Sequence, residues 1–228
     1  GRAYAERYVQ TLTHELKSPL TAIQAASELL QRPLPDADRQ RFAANIQQQS
    51  ERLHQLIEQL LQLSELEQRQ HLLQTEPLEL AALCQQAVQQ RQGRMDQQQW
   101  QLQLELTRLT IDGDPMLVLQ CIGHLLDNAL DFAPNSAKVV FGLQLIAQHA
   151  VLTLFNQGPA IPDYALPRLT ERFYSLPRPG KQHKSTGLGL NFVAEVVQLH
   201  QGELQIANMT RDQISGVVVR LRLPLQLQ

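Results

Sequence analysis

The chain has 228 residues, 43% of them hydrophobic, and a net charge of −2. That length admits one large domain or two small ones, and the apolar share excludes a globally disordered chain. A near-neutral balance forces no basic face, so no nucleic-acid partner is expected.

The chain opens at Gly1-Arg2 and enters a helical pattern at once, without a start signal, as expected of a piece of a longer protein. Residues 4–31 predict a helix. Val9, Leu12, Leu16, Pro19, Ile23, Ala26 and Leu30 recur at alternating spacings of 3 and 4. Residues 36–69 predict a second, with Phe42, Ile46, Gln49, Leu53, Leu56, Leu60 and Leu63 at the same heptad-like spacing. Between them Arg32-Pro-Leu-Pro-Asp-Ala-Asp38 breaks the helix, with Asp36 or Asp38 as the expected N-cap. The two helices form an antiparallel hairpin, and we read residues 1–69 as the first domain. Ile57 and Leu61 widen the second helix's stripe beyond one seam. A lone hairpin buries too little, so a homodimeric four-helix bundle is expected.

From about residue 76 the periodicity changes, and residues 76–228 read as a second domain. Helices are predicted at 79–91, 114–132 and 188–200. Strands are predicted at 100–106, where apolar and polar residues alternate strictly, then at 138–147 and 150–156 around a turn near Gln148-His149, and at 203–207 and 217–223. The whole is α+β: a helical hairpin followed by an α/β sandwich of one sheet and one helical layer. The stretch from Tyr174 to Thr186, with Pro177, Pro179, Gly180, Lys181 and Lys184, predicts a mobile loop. Cys84 and Cys121 form no CxxC pair and fall in helical patterns, as two reduced, buried thiols would. No run of about 18 apolar residues is present, so no membrane span is predicted.

His14 lies about 200° around the helix from Leu12 and Leu16, so it points away from the apolar seam. A lone histidine there is ordinarily a surface residue. Its neighbours change the reading. Pro19 stands inside a helical pattern, where a proline costs about 3 kcal/mol, and its missing N–H frees the carbonyl of Glu15. Neutral imidazole is a good nucleophile near neutral pH. The remaining histidines show no metal-ligand spacing and read as surface residues, His200 among them.

His14-Glu-Leu-Lys-Ser-Pro-Leu20 resembles the phosphoacceptor H-box of sensor histidine kinases. Four further stretches resemble that family's nucleotide boxes, in order: Leu125–Phe132, Phe155–Pro162, Glu171–Tyr174 and Ser185–Leu190. The resemblance implies an ATP-binding domain of the histidine kinase, Hsp90 and gyrase type. In it, His14 receives a phosphoryl group from Mg²⁺-ATP and passes it to an aspartate on a response-regulator receiver domain. Glu15 would polarise the imidazole. Asn128 would hold Mg²⁺ and, through it, the phosphates. Asn156, Gly158 and Ala160 would face the adenine. Phe173, Lys184, Thr186, Gly187, Leu188 and Gly189 would complete the nucleotide site, with glycines ahead of a helix letting backbone N–H groups meet phosphate. Ser18, one turn after His14, would orient the water that dephosphorylates the regulator, or bond back to the carbonyl of His14, or cap the bend before Pro19. The family also implies the cytoplasmic portion of a bacterial inner-membrane sensor, its membrane region lying N-terminal to this chain.

Some positions depart from the family's pattern. His124 stands where an Asn often begins the second box, and Asp131 where many relatives carry a Lys that meets phosphate. Asn156 replaces an Asp, and Ala160 and Ser185 replace Gly. Asp131 would put negative charge near ATP, to be offset by Lys181 and Lys184. These departures keep a second reading open, a degenerate dimeric binding module with little use of ATP. A third, an unrelated ATPase of the same nucleotide fold, does not explain an H-box on its own hairpin.

Overall fold

The computed structural model describes residues 2–177 and 186–227, with side chains from Tyr8 onward. The chain divides into two compact units, Gly1–Glu65 and Leu66–Gln228.

The first unit is the hairpin. Helix α1 runs Arg2–Leu30 and continues through Pro19, and α2 runs Asp36–Glu67. Asp36 and Asp38 lie inside the first turn of α2 rather than ahead of it, where their charge meets the positive helix end. Pro19, Ala26, Leu56 and Leu63 are buried, and the rest of the seam is mostly half-buried. Val9, Leu20, Ile57 and Leu61 stay exposed within the single chain.

The second unit holds β1 (Glu76–Glu79), α3 (Leu80–Gln90), α4 (Gln92–Gln97), β2 (Gln101–Leu106), β3 (Thr110–Gly113) and α5 (Pro115–Phe132). These are followed by β4 (Lys138–Ile146), β5 (His149–Gln157), α6 (Gly189–Leu199), β6 (Glu203–Arg211) and β7 (Ile214–Pro224). The five-stranded sheet has the order β2-β4-β5-β7-β6, and β1 pairs with β3 in a separate ribbon. Strand β2 is parallel to β4, joined by a crossover through α5, while the other neighbours are antiparallel.

Alternation fixes which face is buried. Val139, Phe141 and Leu143 of β4 and Ala150, Leu152 and Leu154 of β5 point into one core. Helices α3, α5 and α6 cover it with Cys84, Ala87, Cys121, Ile122, Leu126, Val193 and Val197. Each such large side chain contributes about 1.5–3 kcal/mol by leaving water. Both cysteines are free and buried, and burial pushes each thiol up to about 12.

Two helix starts in this unit are capped by acids. Glu79 accepts from the N–H groups of Ala81 and Ala82 on α3, and Asp114 accepts from those of Met116 and Leu117 on α5. His200 is not on the surface: it is 1% exposed at the end of α6. Its Nδ1 lies 2.7 Å from the Val196 carbonyl and its Nε2 accepts the Asp114 N–H at 3.1 Å. This arrangement fixes the tautomer with the proton on Nδ1 and ties the end of α6 to the start of α5.

Candidate functional site

Helix α5 is the axis of the candidate site. His124, Asn128 and Phe132 fall at successive i, i+4 positions and share one face. At one end, a Cβ added at Gly189 would lie 3.4 Å from His124 Nδ1, so the start of α6 rests against His124. The His124 ring also meets Phe192, with centroids 4.9 Å apart. Burial holds the His124 imidazole below its ordinary range, keeping it neutral. At the other end, a Cβ at Gly158 would lie 3.5 Å from both Asn156 Nδ2 and the Phe132 carbonyl oxygen. Asn128 therefore sits along a helix face with the end of β5 at one end and the start of α6 at the other.

Asn156 is buried, and its amide donates only a long 3.3 Å bond to the Gln157 carbonyl. Ala160 is exposed, and its φ is not positive, so the missing glycine carries no backbone strain there. The loop beyond it is pinned by Asn208 of β6. Its Oδ1 accepts the Ile161 N–H at 2.7 Å and its Nδ2 donates to the Ile161 carbonyl at 2.8 Å. A lone asparagine within a strand gives no sequence signal for that clamp.

Phe173 and Gly187 both have positive φ, of 61° and 70°. The Phe173 N–H donates to the Gly187 carbonyl at 3.0 Å. A Cβ at Gly187 would stand 2.5 Å from the Phe173 carbonyl carbon, so only glycine fits there. Asn191 of α6 adds a second tie, donating to the Thr170 carbonyl at 2.8 Å. Thr186 is half-buried and Leu188 buried, and Leu188 at the N-cap of α6 supplies no side-chain cap bond. A glycine turn of this kind ahead of a helix is where first-turn N–H groups can meet an anion. Lys181, Lys184 and Ser185, with most of the expected loop, lie outside the described residues.

Asp131 has a partner among the described residues. Arg94 of α4 bridges it and Asp127, with Nη2 3.3 Å from Asp131 Oδ1 and Nη1 3.0 Å from Asp127 Oδ1. Arg91 grips both oxygens of Asp127 at 2.9 and 3.0 Å. It lies over Gly123, where a Cβ would stand 2.5 Å from its Nη2.

The other candidates are on α1. His14 and Ser18 are exposed and Glu15 is half-buried. Thr13 and Thr21 each bond back four residues, to Val9 at 2.7 Å and Lys17 at 2.8 Å. Among the described residues neither a back-bond from Ser18 nor a bond from Glu15 to His14 is present.

Among the described residues no group of three or more His, Cys, Asp or Glu side chains could hold a metal ion. The donor set at Asn128 is a single amide oxygen. It fits a Mg²⁺ whose other ligands are phosphate oxygens and water, the habit of that ion.

Residues 5–69 match the His Kinase A (phospho-acceptor) domain, and residues 113–227 match the Histidine kinase-, DNA gyrase B-, and HSP90-like ATPase family. The chain is 42% identical to the sensor protein CreC of Escherichia coli over 98% of its own length and 46% of that protein's. It is 30% identical to the heme sensor protein HssS of Staphylococcus aureus, over 88% of its length and 43% of the relative's. The chain thus spans about half the length of the curated relatives it matches. Among solved structures, the Acinetobacter baumannii histidine kinase AdeS aligns with a TM-score of 0.73 at 23% identity, covering 93% of this chain and 98% of that one. Histidine kinase ThkA, in complex with response regulator protein TrrA, aligns at 0.75 and 16% identity over 98% of this chain and 64% of that one. With a phospho-acceptor hairpin ahead of an ATPase unit of this type, the chain belongs to the sensor histidine kinase family.

Proposed function

We propose that this chain is the catalytic half of a membrane sensor kinase, in which His14 takes the γ-phosphoryl group of ATP and delivers it to an aspartate of a response regulator. The observation that carries this reading is the pairing of Phe173 with Gly187, which sets a glycine turn directly ahead of α6, whose start rests against His124 on the Asn128 face of α5. A ring nitrogen of His14 attacks the γ-phosphorus as the bond to the β,γ-bridging oxygen breaks, and ADP leaves. The exposed imidazole has room for that approach, and the reaction is governed mainly by positioning and charge neutralisation. Asn128 would orient Mg²⁺, which supplies positive charge to the phosphate oxygens. Asn156 would accept from the adenine amine through its amide oxygen, with Gly158 and Ala160 alongside.

The exposed Val9, Leu20, Ile57 and Leu61 favour pairing of two hairpins as a homodimeric bundle in the domain spanning residues 1–69, with residues 76–228 as the catalytic domain. Ser18 is exposed one turn after His14, where its hydroxyl would orient water against the regulator's phospho-aspartate. The degenerate reading rests on Asn156, Asp131 and Ala160, and the structure bears on the last two. The Arg94 bridge and the unstrained Ala160 backbone weaken it.

Incubation with labelled ATP and Mg²⁺ tests the proposal. His14→Gln is expected to abolish an acid-labile phosphate while leaving nucleotide binding intact. Labelling equal to wild type would refute the assignment.

A further inference from the structure

Helix α5 carries two carboxylates in the turn that also carries Asn128. Asp127 and Asp131 are four residues apart and share a flank, and Asp131 is three residues from Asn128. Left unbalanced, the pair would face a polyanion. Two arginines from the preceding segment meet them. Arg91, with its side chain 19% exposed, is committed to Asp127 through both of its oxygens. Arg94 is the bridging member and reaches Asp131, whose side chain is 12% exposed. A planar fork can hold two carboxylates one turn apart, which a single ammonium does less well.

We propose that Arg94 is a positioning residue for the nucleotide's phosphates: by bridging Asp127 and Asp131 it holds the Asp131 carboxylate against α4 and cancels the charge it would otherwise set beside Asn128. This rests on the ATP reading above and gives the Asp131 carboxylate a place in the fold that does not oppose the nucleotide. Among the described residues the two arginines balance the two carboxylates, which weakens the repulsive field that α5 would otherwise set beside Asn128. The effect is electrostatic, so it scales with the charge of the ligand and weakens with salt.

The test is equilibrium titration of the whole chain with Mg-ADP and, separately, with adenosine, which carries no phosphate. Arg94→Gln is expected to weaken Mg-ADP about fivefold at low salt and under about twofold at ~0.5 M salt, with adenosine binding unchanged. Asp131→Asn is expected to tighten Mg-ADP about twofold, and the double variant to return within about twofold of wild type. Equal weakening of adenosine and Mg-ADP by Arg94→Gln would show a merely structural role and overturn the proposal. So would an unchanged Mg-ADP affinity in that variant. If Arg94→Gln does not fold, Asp131→Asn decides alone: tighter Mg-ADP supports the proposal, and unchanged or weaker binding overturns it. Wild-type protein that binds neither ligand would refute the ATP reading itself. Wild-type binding without the Arg94 effect refutes only this inference.

Discussion

Asn156 is buried at the end of β5, beside Gly158 and the last turn of α5. Replacing it with aspartate has two consequences of opposite sign. A carboxylate accepts the adenine amine's hydrogen bond more strongly, so Asn156→Asp is expected to tighten nucleotide binding by about tenfold or less, roughly 1 kcal/mol. The same carboxylate must be buried without a ligand, so the ligand-free protein should melt earlier. Calorimetric titration and thermal melts of the variant check both arms, and weaker binding would mean that Asn156 does not face adenine. Asn156 is singled out in the sequence because it sits in a local motif. Asn208 and Asn191 are not, because each acts on a backbone segment distant in the chain, 47 residues away for Asn208 and 21 for Asn191. The partner of Asp131 was missed for the same reason, since Arg94 reaches it across 37 residues.

Among the elements, long periodic segments were legible and short ones were not. Helices α1, α2, α3, α5 and α6 and the larger strands follow from spacings of 3 to 4 or of 2. Strands β1 and β3 have four residues each, too few to show a period, and α4 has six. The first hairpin turn is expected one residue late and the last two strands are expected too short, because Ala147-Gln148 and Asp212-Gln213 take positive φ without glycine or asparagine at those positions. The pairing of the strands carries them through that chemistry. On the helical hairpin, the apolar stripe is wider than one antiparallel partner covers, and Leu61 remains 61% exposed. Leu61→Glu in the full chain is therefore expected to raise the dimer dissociation constant about tenfold or more, the effect of roughly 1.4 kcal/mol. Sedimentation velocity across protein concentration measures it, and an unchanged dimer would remove Leu61 from the interface.

At the scale of the whole molecule, acid should act on the second unit first. His200 is neutral in the fold because burial opposes its charge and its Nε2 already accepts the Asp114 N–H. A histidine held below its unfolded value contributes stability above about pH 6.5, and that contribution is lost as pH falls below it. Urea unfolding between pH 7.5 and 5 should show falling stability, and His200→Asn should flatten part of the slope. His124, lowered by burial in the same direction, accounts for a further part. A slope identical in the variant would mean that His200 does not titrate with unfolding. Its burial was invisible in sequence because the partner N–H lies 86 residues away, at the start of another helix.

Cys84 and Cys121 are the only thiols in the chain, and both lie in the core of Leu66–Gln228. With their acidity suppressed to about 12, they react with a maleimide or a disulfide reagent only when that core opens. The natural protein therefore carries an internal clock for one of its units. The rate of thiol labelling in native buffer reports the opening of the ATP-binding half, while the hairpin, which has no cysteine, is silent. A nucleotide that slows labelling does so by holding that half closed. A single cysteine introduced on α1 would then react far faster than either native thiol, giving the hairpin a separate optical reporter in the same molecule.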